Sequence, residues 1–330
     1  MFKSKILSTF KKVALALGLI SIYAFPLGAQ AQNWPDKPLK LIIPFAAGGT
    51  TDILGRILAR EMAPIIGQTI IVENKGGAGG NIGAQVVANA PADGYTLLLA
   101  SGSMMTVNPY LYKSLPLNYG TDLSYITTVA GGPMVVSVNP KLPVNNVKEL
   151  IALAKTKDLN FGSAGIGSQV HMAGENFTYS AGINATHVPY KGEAPALNDL
   201  MAGQIDFMVG NLPAAAGFAK AGKIKALAVT SSERVAQLPD VPTVSEAAIP
   251  GFLNLGWFAI AAPAGTPKII IEKINLATQK SLNSPEMAKS LAISGLTALP
   301  NVTQEALAAQ IKRESANWEK VIKARNIASR

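Results

Sequence analysis

Between residues 39 and 100 the sequence switches repeatedly between short apolar runs and helical periodicity. That alternation restricts the fold more than any other feature. Residues 39–45 read as a buried strand, closed by Ala46-Ala47-Gly48-Gly49. Over 50–62 the pairs Ile53/Ile57 and Leu54/Leu58 recur at i,i+4 and predict one apolar helical stripe. Residues 69–73 predict a second strand, 81–90 a second helix, and 95–100 a third strand after the Asp93-Gly94 turn. Such a β-α-β-α-β series implies crossovers and therefore parallel strands.

A second series begins near residue 131. Strands are predicted at 134–138, 159–162, 185–188, 205–209 and 224–229, with helices at 147–155, Gln169–Ala181, 194–202 and 214–221. Pro239, Pro242 and Pro250 break up 234–251, which reads as a wandering connection. Residues 255–262 are strand-like again, and 267–282, 286–293 and Gln304–Arg325 are helical. This C-terminal part is too small to fold alone, so it is expected to return to the first lobe. The expected fold is α/β, in two discontinuous lobes: 32–131 with 256–330, and 132–255. Two crossings, near 129–134 and 253–257, would form a hinge.

Composition narrows the function. Of 330 residues none is Cys, which excludes a disulfide scaffold, a zinc finger and a cysteine nucleophile. His171 and His187 are the only histidines and show no ligand spacing with carboxylates, so no metal is expected. With 48% hydrophobic and 15% charged residues the chain is too apolar for disorder. Lys3, Lys5, Lys11 and Lys12 precede an apolar stretch over 13–27, and Ala29-Gln30-Ala31 supplies a small-x-small cleavage site. Residues 1–31 therefore read as a secretory signal cut after Ala31. Its removal takes four Lys and no acid, lowering the net charge from +9 to +5. The remaining charges are dispersed, with no basic run beyond Lys312-Arg313, so no nucleic-acid role is expected.

Two Gly/Ser-rich turns, each between a strand and a helix, carry the chemistry: Pro44-Phe-Ala-Ala-Gly-Gly-Thr-Thr-Asp52 and Gly162-Ser-Ala-Gly-Ile-Gly-Ser-Gln-Val-His171. The first N–H groups of a helix lack intrahelical partners and carry the positive end of its dipole. Glycine lets backbone approach an anion closely, so such turns can receive a carboxylate or phosphate. In open α/β sheets this strand edge is also where ligands sit. Either turn alone is equally a plain βα turn with Ser168 or Thr50 as its cap; the recurrence in both lobes favours binding. Candidate anion-binding residues are Phe45, Ala46, Ala47, Gly48 and Gly49 in the first turn, and Ser163, Ala164, Gly165, Gly167 and Ser168 in the second.

His171, in the first turn of a predicted helix, can donate to the same anion. His187 reads as a satisfied structural imidazole. Asp52 complements a helix dipole and joins the candidate set. The stretch Glu73-Asn-Lys-Gly-Gly-Ala-Gly-Gly-Asn81 fails the dinucleotide fingerprint, because Ile82 stands where a glycine is needed. It reads as a flexible turn that exposes Asn74 or Asn81 near the cleft. Asp206, between Ile205 and Phe207, is either a structural carboxylate or an acceptor for a ligand amine. Trp257 packs in the hinge or lines the cleft. Enzyme signatures are lacking: there is no G-x-S-x-G, and the only S-x-x-K, Ser8 to Lys11, lies in the signal. No cofactor is implied.

Several motifs in order carry a resemblance. They are Trp34-Pro-x-Lys-Pro, Pro44-Phe-x-x-Gly-Gly-x-x-Asp52, Val72-Glu-Asn74 with Gly-Ala-Gly-Gly80, and Ala90-x-x-Asp-Gly-Tyr-Thr-Leu97. Val188-Pro-Tyr-Lys-Gly192, Leu238-Pro-Asp-Val-Pro-Thr243 and Ala262-Pro-Ala-Gly-Thr-Pro267 follow. Over essentially the whole mature chain this resembles the Bug family, the TctC-like periplasmic solute-binding proteins of tripartite tricarboxylate transporters. The resemblance implies a type II-like Venus flytrap that closes over a small organic carboxylate held by backbone amides and waters. It also implies that Ser101 and Gly102 edge the pocket. The expected partners are a large and a small membrane permease subunit, and the expected state is a periplasmic monomer. A periplasmic sensor subunit with the same fold is the alternative. One departure stands out: many relatives carry an acid where Gly210 precedes Asn211-Leu212-Pro213. Its loss would weaken the case for an amino-bearing ligand, if that position faces the cleft.

Overall fold

The computed structural model describes residues 33–325 and 327; the expected signal lies outside them. The chain divides into two units, Met1–Asp36 and Lys37–Arg330. The first is represented by 33–36 alone, and the architecture is that of the second.

Strand β1 (Leu39–Ile43) pairs in parallel with β2 (Ile70–Asn74) and β3 (Thr96–Ser101), so that Leu41 stands between Val72 and Leu97. Four of its five residues are buried, as a parallel strand covered on both faces requires. Helix α1 (Thr50–Ile66) buries Leu54, Leu58 and Met62 at i,i+4 spacing and stops at Gly67, whose φ of 81° forms a left-handed cap. Helix α2 (Asn81–Ala88) precedes β3. Two short helices, α3 (Gly102–Thr106) and α4 (Asn108–Leu111), follow it where the sequence shows no period long enough to read.

Strand β4 (Leu123–Val138) has 16 residues, whereas the apolar pattern announces only its last five. Its first half is interrupted by Ser124, Tyr125, Thr127 and Thr128, and the last three of these have side-chain partners. Tyr125 Oη donates to Tyr119 O, Thr127 Oγ1 to Val302 O and Thr128 Oγ1 to Leu299 O. The alternation is broken because this half of the strand anchors the returning C-terminal segment.

The second series gives α5 (Val147–Ala154), β5 (Asn160–Ser163), α6 (Gln169–Ala181), β6 (Thr186–Pro189), α7 (Glu193–Ala202), β7 (Phe207–Asn211), α8 (Leu212–Lys220) and β8 (Lys225–Val229). Strand β5 is parallel to β6 and β7, while β4 runs antiparallel to β7 and β8. The Pro-rich connection holds one more short helix, α9 (Val244–Ala247), started by a capping box of Thr243 and Glu246. Strand β9 (Leu255–Pro263) then lies between β3 and β4. Helices α10 (Lys268–Leu282) and α11 (Pro285–Ser294) pack on α1, and β10 (Thr297–Ala298) pairs with the first half of β4. Helix α12 (Gln304–Arg325) packs on α3 and β4.

One strand thus serves two sheets. Up to Pro133, β4 pairs with β9; from Met134 onward it pairs with β7. The passage runs through Gly131, Gly132 and Pro133, opposite Leu255, Gly256 and Trp257. The β1, β3 and β5 ends that precede the helices therefore converge on one region.

The second sheet's core centres on Phe161, whose ring lies 5.7 Å from that of Phe207 and 4.9 Å from that of His187. Helix α6 reaches it through Gly174, where an added Cβ would stand 2.5 Å from the Phe161 ring. Gly174→Val is expected to lower stability by about 1–3 kcal/mol through overpacking, read as a lower urea midpoint with an unchanged slope.

Candidate functional site

The first turn is built by β1 and α1. Gly48 has a φ of 82°, and Gly49 caps α1 in an extended conformation without a side chain of its own to accept from the helix's N–H groups. Behind it, Asp52 folds back to accept the Gly48 N–H at 3.0 Å, Arg56 Nε at 3.0 Å and Asn74 Nδ2 at 3.0 Å. Asn74 Nδ2 also donates to Phe45 O at 3.1 Å. Burial alone would push the Asp52 pKa up, but Arg56, the Gly48 N–H and Asn74 hold it below the usual carboxylate range. Asp52 and Asn74 therefore knit the turn together, with their polar atoms turned inward.

The second turn is built by β5 and α6. Gly165 (φ 120°) and Gly167 (φ 78°) need left-handed backbone. Ser168 caps α6 by accepting the His171 N–H at 3.2 Å. His171 Nδ1 accepts the Gly167 N–H at 3.1 Å, its Nε2 lies 3.5 Å from Glu175 Oε1, and its ring stacks on His187 at 3.9 Å. Both ring nitrogens thus face protein groups. Ser163 Oγ meets His187 Nε2 at 2.6 Å and the Gly165 N–H at 3.1 Å.

The two turns face each other across a crevice lined by Phe45, Gly49, Thr50, Thr51, Ser101, Ala164, Ser168, Gln169, Val170, Glu193 and Asn211. The crevice has a volume of about 10 Å³, close to the minimum for one water molecule. No Lys or Arg lines it among the described residues. A larger cavity, about 660 Å³, sits at the β4–β9 crossing and shares no lining residue with it.

Of the candidates read from sequence, the crevice gathers Phe45, Gly49, Ser101, Ala164 and Ser168. Ala46, Ala47 and Gly48 lie on the outer side of the first turn, where the Ala46 N–H donates to Lys191 O at 3.1 Å. Gly102, Ser163, Gly165 and Gly167 support the lining without joining it; an added Cβ on Gly102 would stand 2.3 Å from the Trp257 indole. Three acid or imidazole candidates bond to protein groups away from the crevice lining. Asp52 and His171 are consumed by their own turns. Asp206 sits at the start of β7, the opposite end from the crevice, and accepts the Asn160 N–H at 2.8 Å. The Gly-rich stretch after β2 packs closely against the turns around it. A Cβ on Gly79 would stand 2.0 Å from Ile166 O, and one on Gly76 2.6 Å from Lys191 O. Glycine there lets the backbones on either side of the crevice touch.

The sequence reading missed the group at the centre. Glu193, the first residue of α7, is 4% exposed. Its Oε2 accepts the Thr50 N–H at 3.1 Å, and its Oε1 accepts the Asn211 N–H at 2.5 Å and Asn211 Nδ2 at 3.2 Å. An added Cβ on Gly210 would lie 3.3 Å from Glu193 Oε1. Position 210 therefore faces Glu193, which fills its space with a carboxyl group. Burial pushes the Glu193 pKa up, against the N–H groups of Thr50 and Asn211. The available signal was Tyr190-Lys191-Gly192, a third strand-to-helix turn at the same sheet edge.

The model of the tripartite tricarboxylate transporter family receptor matches residues 54–327. Three solved structures are similar over nearly the whole chain. The periplasmic binding protein BugD is 37% identical, with a TM-score of 0.86 covering 90% of this chain and 100% of its own. An R. palustris protein solved with adipate is 35% identical, with a TM-score of 0.85 covering 90% and 99%. MatC from Rhodopseudomonas palustris, with bound malate, is 31% identical, with a TM-score of 0.82 covering 88% and 100%. The two-lobed α/β architecture of periplasmic binding proteins is the fold of this chain.

Glu193 has a pH signature. The folded protein holds its proton more tightly than the unfolded chain, so its ionisation costs stability as pH rises. Relative to Glu193→Gln, the wild type should lose stability as pH is raised from the ordinary glutamate range, about 4.3. Below that range the difference should be constant. Thermal midpoints of both proteins across the series check this.

Proposed function

Because the chain belongs to the tripartite tricarboxylate transporter receptor family, we propose that it captures a small organic carboxylate between its two lobes and delivers it to a membrane permease. The family and its solved neighbours are solute-binding proteins, not enzymes. The observation that carries the reading is the convergence of the α1 and α6 N-termini on one crevice, with Ser101 beside them and no cationic side chain in its wall. Main-chain N–H groups and helix dipoles are the available partners for a guest's negative end. Relatives held with adipate and malate support a carboxylate guest.

In this reading residues 32–131 with 256–330 form one lobe and 132–255 the other, with the β4–β9 crossing as hinge. Opening at the hinge admits the guest, and its bridging contacts shift the equilibrium to the closed form. The protein acts as a periplasmic monomer released by cleavage after Ala31, and the permease has one large and one small subunit. No helix among the described residues is long and apolar enough to cross a membrane.

The test is a thermal-shift panel of mono-, di- and tricarboxylates on the purified mature protein. A guest at 100–1,000 times its Kd should stabilise it by roughly 3–4 kcal/mol. Gly49→Val and Gly165→Val should abolish the shift while the apo proteins retain native far-UV circular dichroism. Gly165 needs its φ of 120°, and a Cβ on Gly49 would stand 3.2 Å from the Glu193 Cβ. Binding retained in both variants would refute the anion-turn assignment. Uptake of the identified guest should be lost when either permease subunit is deleted.

A further inference from the structure

The crevice wall formed by Glu193, Asn211 and Gln169 has a fixed polarity. Asn211 turns its amide nitrogen toward Glu193, donating at 3.2 and 3.3 Å to the two carboxyl oxygens. Asn211 Oδ1 is thereby left facing Gln169 and accepts Gln169 Nε2 at 3.0 Å. Gln169 then has only its carbonyl oxygen to offer. That oxygen is buried without a hydrogen-bond partner among the described residues, and Gln169 is 9% exposed. One carboxylate thus orients two amides in turn and leaves this wall of the crevice made of acceptors.

The other end of the crevice has the opposite character, with the start of α6 at Ser168, Gln169 and Val170. A plain carboxylate seated there places a second negative charge beside Glu193, and because two like charges in a dry site repel strongly, Glu193 must then hold the proton that burial already favours. A guest whose second group is a cationic donor meets Glu193 favourably and also fills the vacant acceptor on Gln169. Gln169 further lines a neighbouring cavity of about 50 Å³ together with Ser103 and Trp257, which gives a side group room beyond the crevice.

Resting on the carboxylate reading above, we propose that the guest is an aminocarboxylate, with its carboxylate at the start of α6 and its ammonium between Glu193 and the Gln169 carbonyl. Glu193 is then the residue that separates amino acids from plain organic acids. The position facing Gly210 keeps its acid, supplied from another element.

Calorimetric titration of the mature protein with the twenty common amino acids, each paired with the nitrogen-free acid of the same skeleton, tests this. In the wild type the ammonium member of the binding pair should be at least about tenfold tighter, the scale of a charge-assisted hydrogen bond. Glu193→Gln should reduce that ratio by at least about tenfold, and Gln169→Met should reduce it by a smaller factor, about threefold. The wild-type ratio needs no variant to fold. A wild type that binds a nitrogen-free acid as well as or better than its amino partner overturns the proposal and leaves the carboxylate reading standing. So does a ratio unchanged in Glu193→Gln. A Glu193→Gln protein whose affinity rises equally for amino and nitrogen-free acids, with a larger apo radius of gyration by small-angle scattering, also overturns it, marking Glu193 as an internal plug. Binding of no acid of either kind overturns both.

Discussion

The start of a helix leaves N–H groups that the helix cannot satisfy, and this protein brings several such starts to one place. Helix α1 opens at Thr50, α6 at Gln169, α7 at Glu193 and α8 just after Asn211, and all four residues line the same crevice. The strand directions dictate the convergence, since each strand ends where its helix begins and the end of β1 faces the ends of β5, β6 and β7, which run the opposite way. The resulting field favours negative charge without a lysine or arginine. It also explains how Glu193 can be buried with no cationic partner in the crevice wall: its oxygens take the N–H groups of Thr50 and Asn211.

The strand that links the sheets sets what can move. Because β4 pairs with β9 as far as Pro133 and with β7 from Met134, the halves share a continuous backbone ladder at their junction. Helix α12 adds a second connection. It packs on α3 and β4, while its Arg325 donates to Glu175 O and lies 3.6 Å from the Tyr179 ring centre on α6. Opening the crevice must bend the first connection and release or carry along the end of the second.

Much of this was legible in the sequence where the period was strong. Helices Gln169–Ala181 and Gln304–Arg325, and the β1–α1–β2–α2–β3 opening, follow from apolar spacing and turn residues. The first half of β4 was not legible, because Thr127 and Thr128 serve hydrogen bonds to residues far along the chain, Tyr125 serves one to the preceding loop, and all three disturb the alternation. In the site, the turns could be found because glycine marks them. The direction of each polar side chain could not: Asp52, Asn74 and His171 sit beside the right turns but bond within them, and Asp206 lies at the far end of its strand. Glu193 was passed over because an acid at a helix start is what dipole complementarity supplies anyway. Its burial against Thr50, 143 positions away, is a tertiary fact.

Gly210 and Glu193 lie on different elements yet compete for a single volume. Were an acid introduced at 210 while 193 kept its own, two carboxylates would share a few cubic ångströms with too few amides for both, and one would have to hold a proton. An acid at either site therefore leaves no room for an ionised acid at the other. What evolution can preserve here is a location in space, reachable from either of two branches of the chain.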